Sequence, residues 1–218
     1  RKPAKPQTLV GESDGKRYFA TQLAFKDERV RRAEPKHIAL VWDASGSAAA
    51  QNRVLPVLAA YFRTLKKPVK LSLLVVRNCT EPIRTITVAP GGFDALAAIL
   101  KAEPHDGSSN FDDLPIPADA DATILVTDGL VTDGKRSIHY QHTAPVVAIN
   151  GANSADLPRL RRLVERTGGA LVDATLASAD AAVAPMLWDG WRIVGLSSLT
   201  AEKLVAPSLR VQAHRISI

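Results

Sequence analysis

The sequence predicts an α/β protein: a doubly wound, mostly parallel sheet flanked by helices, Rossmann-like, with a small β extension formed by the terminal segments. Three observations carry this expectation. Short apolar runs at 38–42, 122–127 and 146–150 read as buried strands. Helical patterns at 51–65, 93–101 and 155–167 alternate with strands along the chain. Two of the strands end in an aspartate, Asp43 and Asp128, at the carboxyl ends where open α/β sheets place their ligands.

The elements follow in order. Residues 1 to about 17 are rich in Pro, Lys and Gly and read as a linker, while 18–25 alternates bulky apolar and polar residues as a strand does. The strand ending at Asp43 is followed by a helix over 51–65, with Val54, Leu58, Tyr61, Phe62 and Leu65 on one face. Pro56 lies in its early turns, where proline is tolerated. Segments 69–77 and 84–88 form a hairpin about a turn at 80–82, at one edge of the sheet. A short amphipathic helix over 93–101 leads into the polar loop Asp106-Gly107-Ser108-Ser109-Asn110. Beyond it, Phe111-Asp112-Asp113-Leu114-Pro115-Ile116-Pro117 leaves room for no more than a turn before proline stops it. Strands at 122–127 and 146–150 come next, then a helix over 155–167 closed by Gly168-Gly169, a last short strand at 170–173 and a last helix over 177–187. After Trp188 the pattern changes: 192–199 and 207–218 read as strands that pair with 18–25 in a small β-subdomain.

The chemistry gathers after the first buried strand, at Asp43-Ala44-Ser45-Gly46-Ser47. The small residues at 44–48 allow a tight loop, so the hydroxyls of Ser45 and Ser47 turn back toward the Asp43 carboxylate. One carboxylate and two hydroxyls make a hard, oxygen-only, weakly charged cage, which suits Mg2+ or Mn2+ better than zinc. Asp128-Gly129 repeats the theme, a carboxylate at a strand terminus followed by a turn residue. The loop between carries two free hydroxyls, Ser108 and Ser109. A plainer reading exists for each piece: Ser47 caps a helix starting near Ala50, and Asp128-Gly129 is an ordinary turn like Asp133-Gly134. Their order along a doubly wound sheet favours the metal site.

This order of parts resembles the von Willebrand factor A domain and its metal-ion-dependent adhesion site, over about residues 36–187. That pattern is D-x-S-x-S, then a Thr in a Gly-Gly-Thr-Asn-like loop, then an Asp in a Thr-Asp-Gly turn. The resemblance implies a metal held by Asp43, Ser45, Ser47, Ser109 and Asp128, with Mg2+ as cofactor and Mn2+ or Ca2+ as alternatives. Ser109 stands at the Thr position, which keeps the hydroxyl and loses the β-branch that restricts its rotamer. Ser108 stands where a second Gly is usual and is the other candidate donor, and Asn110 directly after Ser109 favours Ser109. Tyr18-Phe19 and the connector Glu34-Pro35-Lys36 resemble the joint between the VIT and A domains of inter-alpha-trypsin inhibitor heavy-chain-like proteins and their bacterial relatives. The resemblance divides the chain into a linker and strand (1–35), the A domain (36–187) and a C-terminal β segment (188–218). It also implies an extracytoplasmic setting, and a protein partner that supplies a Glu or Asp carboxylate to the ion. A structural or assembly module with a vestigial or partner-free site is the alternative.

Composition narrows the classes. The 218 residues are 46% hydrophobic, enough for one medium domain with a sizeable core and extra segments at the ends. No run is long and apolar enough to span a bilayer, and the amino terminus lacks the apolar stretch of a signal peptide, so it reads as an interior cut of a longer protein. Cys79 alone makes neither a disulfide nor a cysteine-based metal motif. The net charge of +6 raises the question of nucleic acid, with Arg159, Arg162 and Arg166 on one helical face. Basic residues on a solvent face are ordinary, and no nucleic-acid-binding motif accompanies them. An enzyme is not expected: Ser45 stands where an aspartate-nucleophile phosphatase needs a second Asp, and it is not in a G-x-S-x-G elbow. His139 and His142, three apart in a polar loop, read as solvent-exposed.

Overall fold

A computed structural model describes residues 7–22, 30–176 and 178–189. At its centre is a six-stranded sheet. Strand β4 (His37–Asp43) lies between β5 (Val69–Val76) and β7 (Ala122–Val126) and is parallel to both. Outside β5 runs β6 (Arg84–Val88), the one antiparallel member, and outside β7 run β8 (Val146–Asn150) and β9 (Ala170–Asp173), both parallel. All seven residues of β4 are buried, which is why this strand is apolar on both faces.

Alternation along β4 feeds two cores. Ile38, Leu40 and Trp42 join the cluster under α1 (Leu55–Arg63), α2 (Phe93–Ala102) and α4 (Ala179–Leu187). Ala39 and Val41 join the other, under α3 (Leu157–Thr167). No helix intervenes between α2 and β7 or between β7 and β8, and irregular backbone carries Phe111, Val131, Ile138 and Tyr140 into that second core instead. The short Pro-containing connection expected after Ser109 is thus a coil, stitched down by side chains.

Two expectations are adjusted. The helix expected over 51–65 begins four residues later, at Leu55, preceded by a 3-10 segment, Gly46–Val54. Pro56 sets this boundary: without an N–H it fits only the first turn, so the α ladder starts around it. The stretch read as a linker contains β1 (Gln7–Ser13), paired antiparallel with β2 (Lys16–Gln22) about Asp14-Gly15, both with positive φ. Such a two-residue turn matches the twist of a hairpin. The strand expected at 18–25 therefore pairs with its immediate predecessor, and positions 23–25 lie outside the described residues. A second short pairing joins β3 (Val30–Arg31) to β10 (Trp188–Asp189), antiparallel. The strands expected at 192–199 and 207–218 lie outside the described residues.

Helix ends have local causes. α3, expected from 155, starts at Leu157, where the Asp156 carboxylate accepts the Arg159 N–H at 3.0 Å. It stops at Gly168, whose φ of 75° is the left-handed conformation of a helix end. α4, expected from 177, starts at Ala179 behind the Ser178 cap.

Candidate metal centre

Three loops meet at the carboxyl edge of the sheet. The first leaves β4 at Asp43, the second follows α2, and the third leaves β7 at Thr127-Asp128. Because β7 is the direct parallel neighbour of β4, with Trp42 opposite Val126, the third loop emerges beside the first. The first and second loops are tied by backbone: the Asp106 N–H donates to Ala44 O at 2.9 Å and the Gly46 N–H to Gly107 O at 3.2 Å.

Asp43 is fully buried at the sheet's carboxyl edge. Its Oδ1 accepts the Ser45 N–H at 3.0 Å, which turns the first loop back on itself, and its Oδ2 accepts the Thr127 hydroxyl at 2.6 Å. Burial pushes this carboxyl above its ordinary pKa; the hydrogen bonds from Thr127 and Ser45 act against that rise, and the charge of Asp128 adds to it. The Ser109 hydroxyl donates to Ser45 Oγ at 2.8 Å, and Ser47 Oγ lies 3.3 Å from Ser45 Oγ. Three hydroxyls from two loops thus form one chain. Ser108 faces elsewhere: its hydroxyl donates to Asn78 Oδ1 at 2.8 Å.

Asp128 completes the group. It is fully buried, and its Oδ1 accepts the Leu130 N–H at 2.8 Å. Its Oδ2 is buried with no hydrogen-bond partner among the described residues. A carboxylate oxygen removed from water without a donor is costly, and such an oxygen is commonly matched by a cation. Asp133, its sequence look-alike, is exposed and accepts its neighbour Gly134's N–H.

The donor set is oxygen only: two carboxylates and three hydroxyls. It fits a hard divalent ion, and hydroxyl donors with only two acids lean to Mg2+ or Mn2+ over Ca2+, which favours more carboxylates. Among the described residues no group of three His, Cys, Asp or Glu converges on a possible ion, so zinc-type chemistry has no counterpart there. His139 pairs with Gln141 at 2.5 Å, and His142 Nδ1 accepts the Ala144 N–H. The basic helix face is partly in structural use: Arg159 donates to Gly129 O at 2.6 Å and Arg166 to Tyr140 O at 3.3 Å.

Four supporting residues escaped sequence reasoning. Thr127 both donates to Asp43 and accepts the Gly129 N–H at 2.9 Å, so one hydroxyl holds the first and third loops together. The Thr-Asp-Gly string carried that signal. Thr132 clasps the second loop, since its Oγ1 accepts the Ser109 N–H at 2.9 Å and its own N–H donates to Ser109 O at 3.2 Å. Arg77 and Asn78, just beyond β5, hold the same loop from the other side. The Arg77 guanidinium donates to Pro104 O and meets the carboxylates of Glu81, Glu103 and Asp106, while Arg77 O accepts the Asn110 N–H. Nothing in the local sequence marks 77–78 as partners of 103–110.

The fold is an open, doubly wound α/β sheet with a single antiparallel edge strand, with D-x-S-x-S at the end of a central strand beside a Thr-Asp-Gly turn, an arrangement consistent with the von Willebrand factor A resemblance of the sequence. Solved structures with a similar chain path include the ArnB paralog VWA2 from Sulfolobus acidocaldarius, at 15% identity over 84% of this chain and 49% of that one, with a TM-score of 0.45. A von Willebrand factor type A structure from Catenulispora acidiphila is similar at 14% identity over 71% of this chain and 43% of that one, with a TM-score of 0.43. Manganese-loaded TRAP protein of Plasmodium vivax is similar at 15% identity over 74% and 79%, with a TM-score of 0.42. The chain spans about half the length of the first two. No family model matches it, and no curated protein matches it in sequence.

Proposed function

We propose that the A-type domain is a metal-dependent protein-binding module, in which Asp43, Ser45, Ser47, Ser109 and Asp128 hold Mg2+ and the ion receives a Glu or Asp carboxylate from a partner. The observation that carries this reading is the buried Asp128 Oδ2, without a hydrogen-bond partner among the described residues, in a site that also contains Asp43 and the linked hydroxyls of Ser45, Ser47 and Ser109. Neutral hydroxyls supply most of the donors. A dication so held keeps part of its charge and attracts a further anionic oxygen. This chain's residues bind and orient: Asp43 and Thr127 lock the first and third loops, and Ser109 brings in the second.

Mn2+ serves in the same site as a probe, and Ca2+ binds it more weakly. The module belongs, in this proposal, to a larger extracytoplasmic protein of the VIT and A-domain type, a placement resting on Tyr18-Phe19 and Glu34-Pro35-Lys36. Titration calorimetry of Mg2+ and Mn2+ into the wild type and Asp43→Ala tests the centre. Saturable binding at one site that Asp43→Ala abolishes is the expected result. A wild type that takes up neither ion ends the proposal.

A further inference from the structure

We infer that Asn78 is the positioning residue that fixes Ser109 in the candidate metal centre, acting from the end of β5 on the neighbouring Ser108. The inference rests on the metal-site reading and adds to it the means by which the second loop is set without a helix behind it.

Asn78 Oδ1 accepts two hydrogen bonds from one residue, the Ser108 N–H and the Ser108 hydroxyl, each at 2.8 Å. The backbone closes in to allow this. At Gly107, φ is +70°, and a Cβ there would stand 2.8 Å from Asn78 Oδ1, so only glycine fits over that amide. Asn110, on the far side of Ser109, donates its N–H to Arg77 O at 3.0 Å. The residues before and after Ser109 are therefore both fastened to the 77–78 corner. Thr132 grips Ser109's own backbone from the opposite direction. With its backbone held on three sides, the Ser109 side chain is directed at Ser45 Oγ.

The corner has its own footing. Arg77 sits among Glu81, Glu103 and Asp106, and an isolated bridge pairs Val76 with Thr80. Asn78 thus transmits a position set by the sheet to a loop that no helix backs. Groups one shell out from metal ligands typically change ion affinity by about ten- to a hundredfold when removed.

Only the acceptor oxygen of Asn78 is used toward Ser108, and this yields a chemical test. Asn78→Ala removes the acceptor, whereas Asn78→Asp retains it. Two readouts are taken on the whole chain: amide hydrogen exchange at Ser108 and Asn110 with chelator present, and Mn2+ affinity by calorimetry. Expected for Asn78→Ala are exchange at least about tenfold faster at Ser108 and Mn2+ binding weakened by about tenfold or more, with the melting temperature little changed. Expected for Asn78→Asp is recovery of both to within about threefold of the wild type. Unchanged exchange in Asn78→Ala, or an Asn78→Asp variant as impaired as the alanine, overturns the inference. Wild-type protein that binds no Mn2+ overturns the metal-site reading, and the exchange data then still judge the anchor.

Discussion

Thr127 shows how much of a candidate site can hang on one hydroxyl. Its proton goes to Asp43 Oδ2 at 2.6 Å, and its lone pair receives the Gly129 N–H. Thr127→Val keeps the shape and deletes both bonds, leaving a buried carboxylate oxygen and a buried N–H unmatched. Each unmatched group costs about 1–3 kcal/mol. Urea unfolding with chelator present is expected to show a loss within or above that range; a variant as stable as the wild type would mean the two loops are held by something else. The geometry also explains why the Asp43 carboxyl is pushed up less than its full burial alone would demand: two donors oppose the desolvation.

At the scale of the element, α3 and the third loop depend on each other. Gly129 has φ of +75°, and a Cβ on it would come within 3.0 Å of the Leu160 side chain and 3.1 Å of Asp156 O. The loop also takes a bond from the Asp156 N–H to Asp128 O and another from Arg159 to Gly129 O. Gly129→Ala is expected to cost about 1–2 kcal/mol from the left-handed backbone alone, before any displacement of the helix start. Thermal unfolding beside a surface Gly→Ala control measures it, and equal melting temperatures would contradict the packing described. What sequence could read here follows from range. Strand runs and the D-x-S-x-S and Asp-Gly punctuation are local, so the sheet and the residues of the candidate site were legible. Asp14-Gly15 was a local signal too, but it lay in a stretch whose Pro and Lys content suggested linker. The 77–78 corner and the coil that inserts Phe111 depend on contacts tens of residues apart, and no spacing rule encodes them.

For the whole molecule, the proposed ion would be linked to folding. An ion that binds only the folded chain adds about 2.7 kcal/mol at a hundredfold excess over its Kd. For a domain of this size each kcal/mol moves the melting temperature by about 2–4 °C. Calorimetric scans in saturating Mg2+ are therefore expected to melt about 5–10 °C above scans in EDTA, and Asp43→Ala is expected to erase the difference. Superimposable wild-type scans would count against a site at the carboxyl edge of the sheet.

The β3–β10 clasp bears on how such a domain would behave under tension. Val30 and Asp189 face each other in its antiparallel register, one step ahead of Arg31 and Trp188. A load applied across Val30 and Asp189 would therefore open the pair one rung at a time, from that end, rather than shear it. With only two rungs in the clasp, such a load would meet Asp189↔Val30 first and Trp188↔Arg31 next.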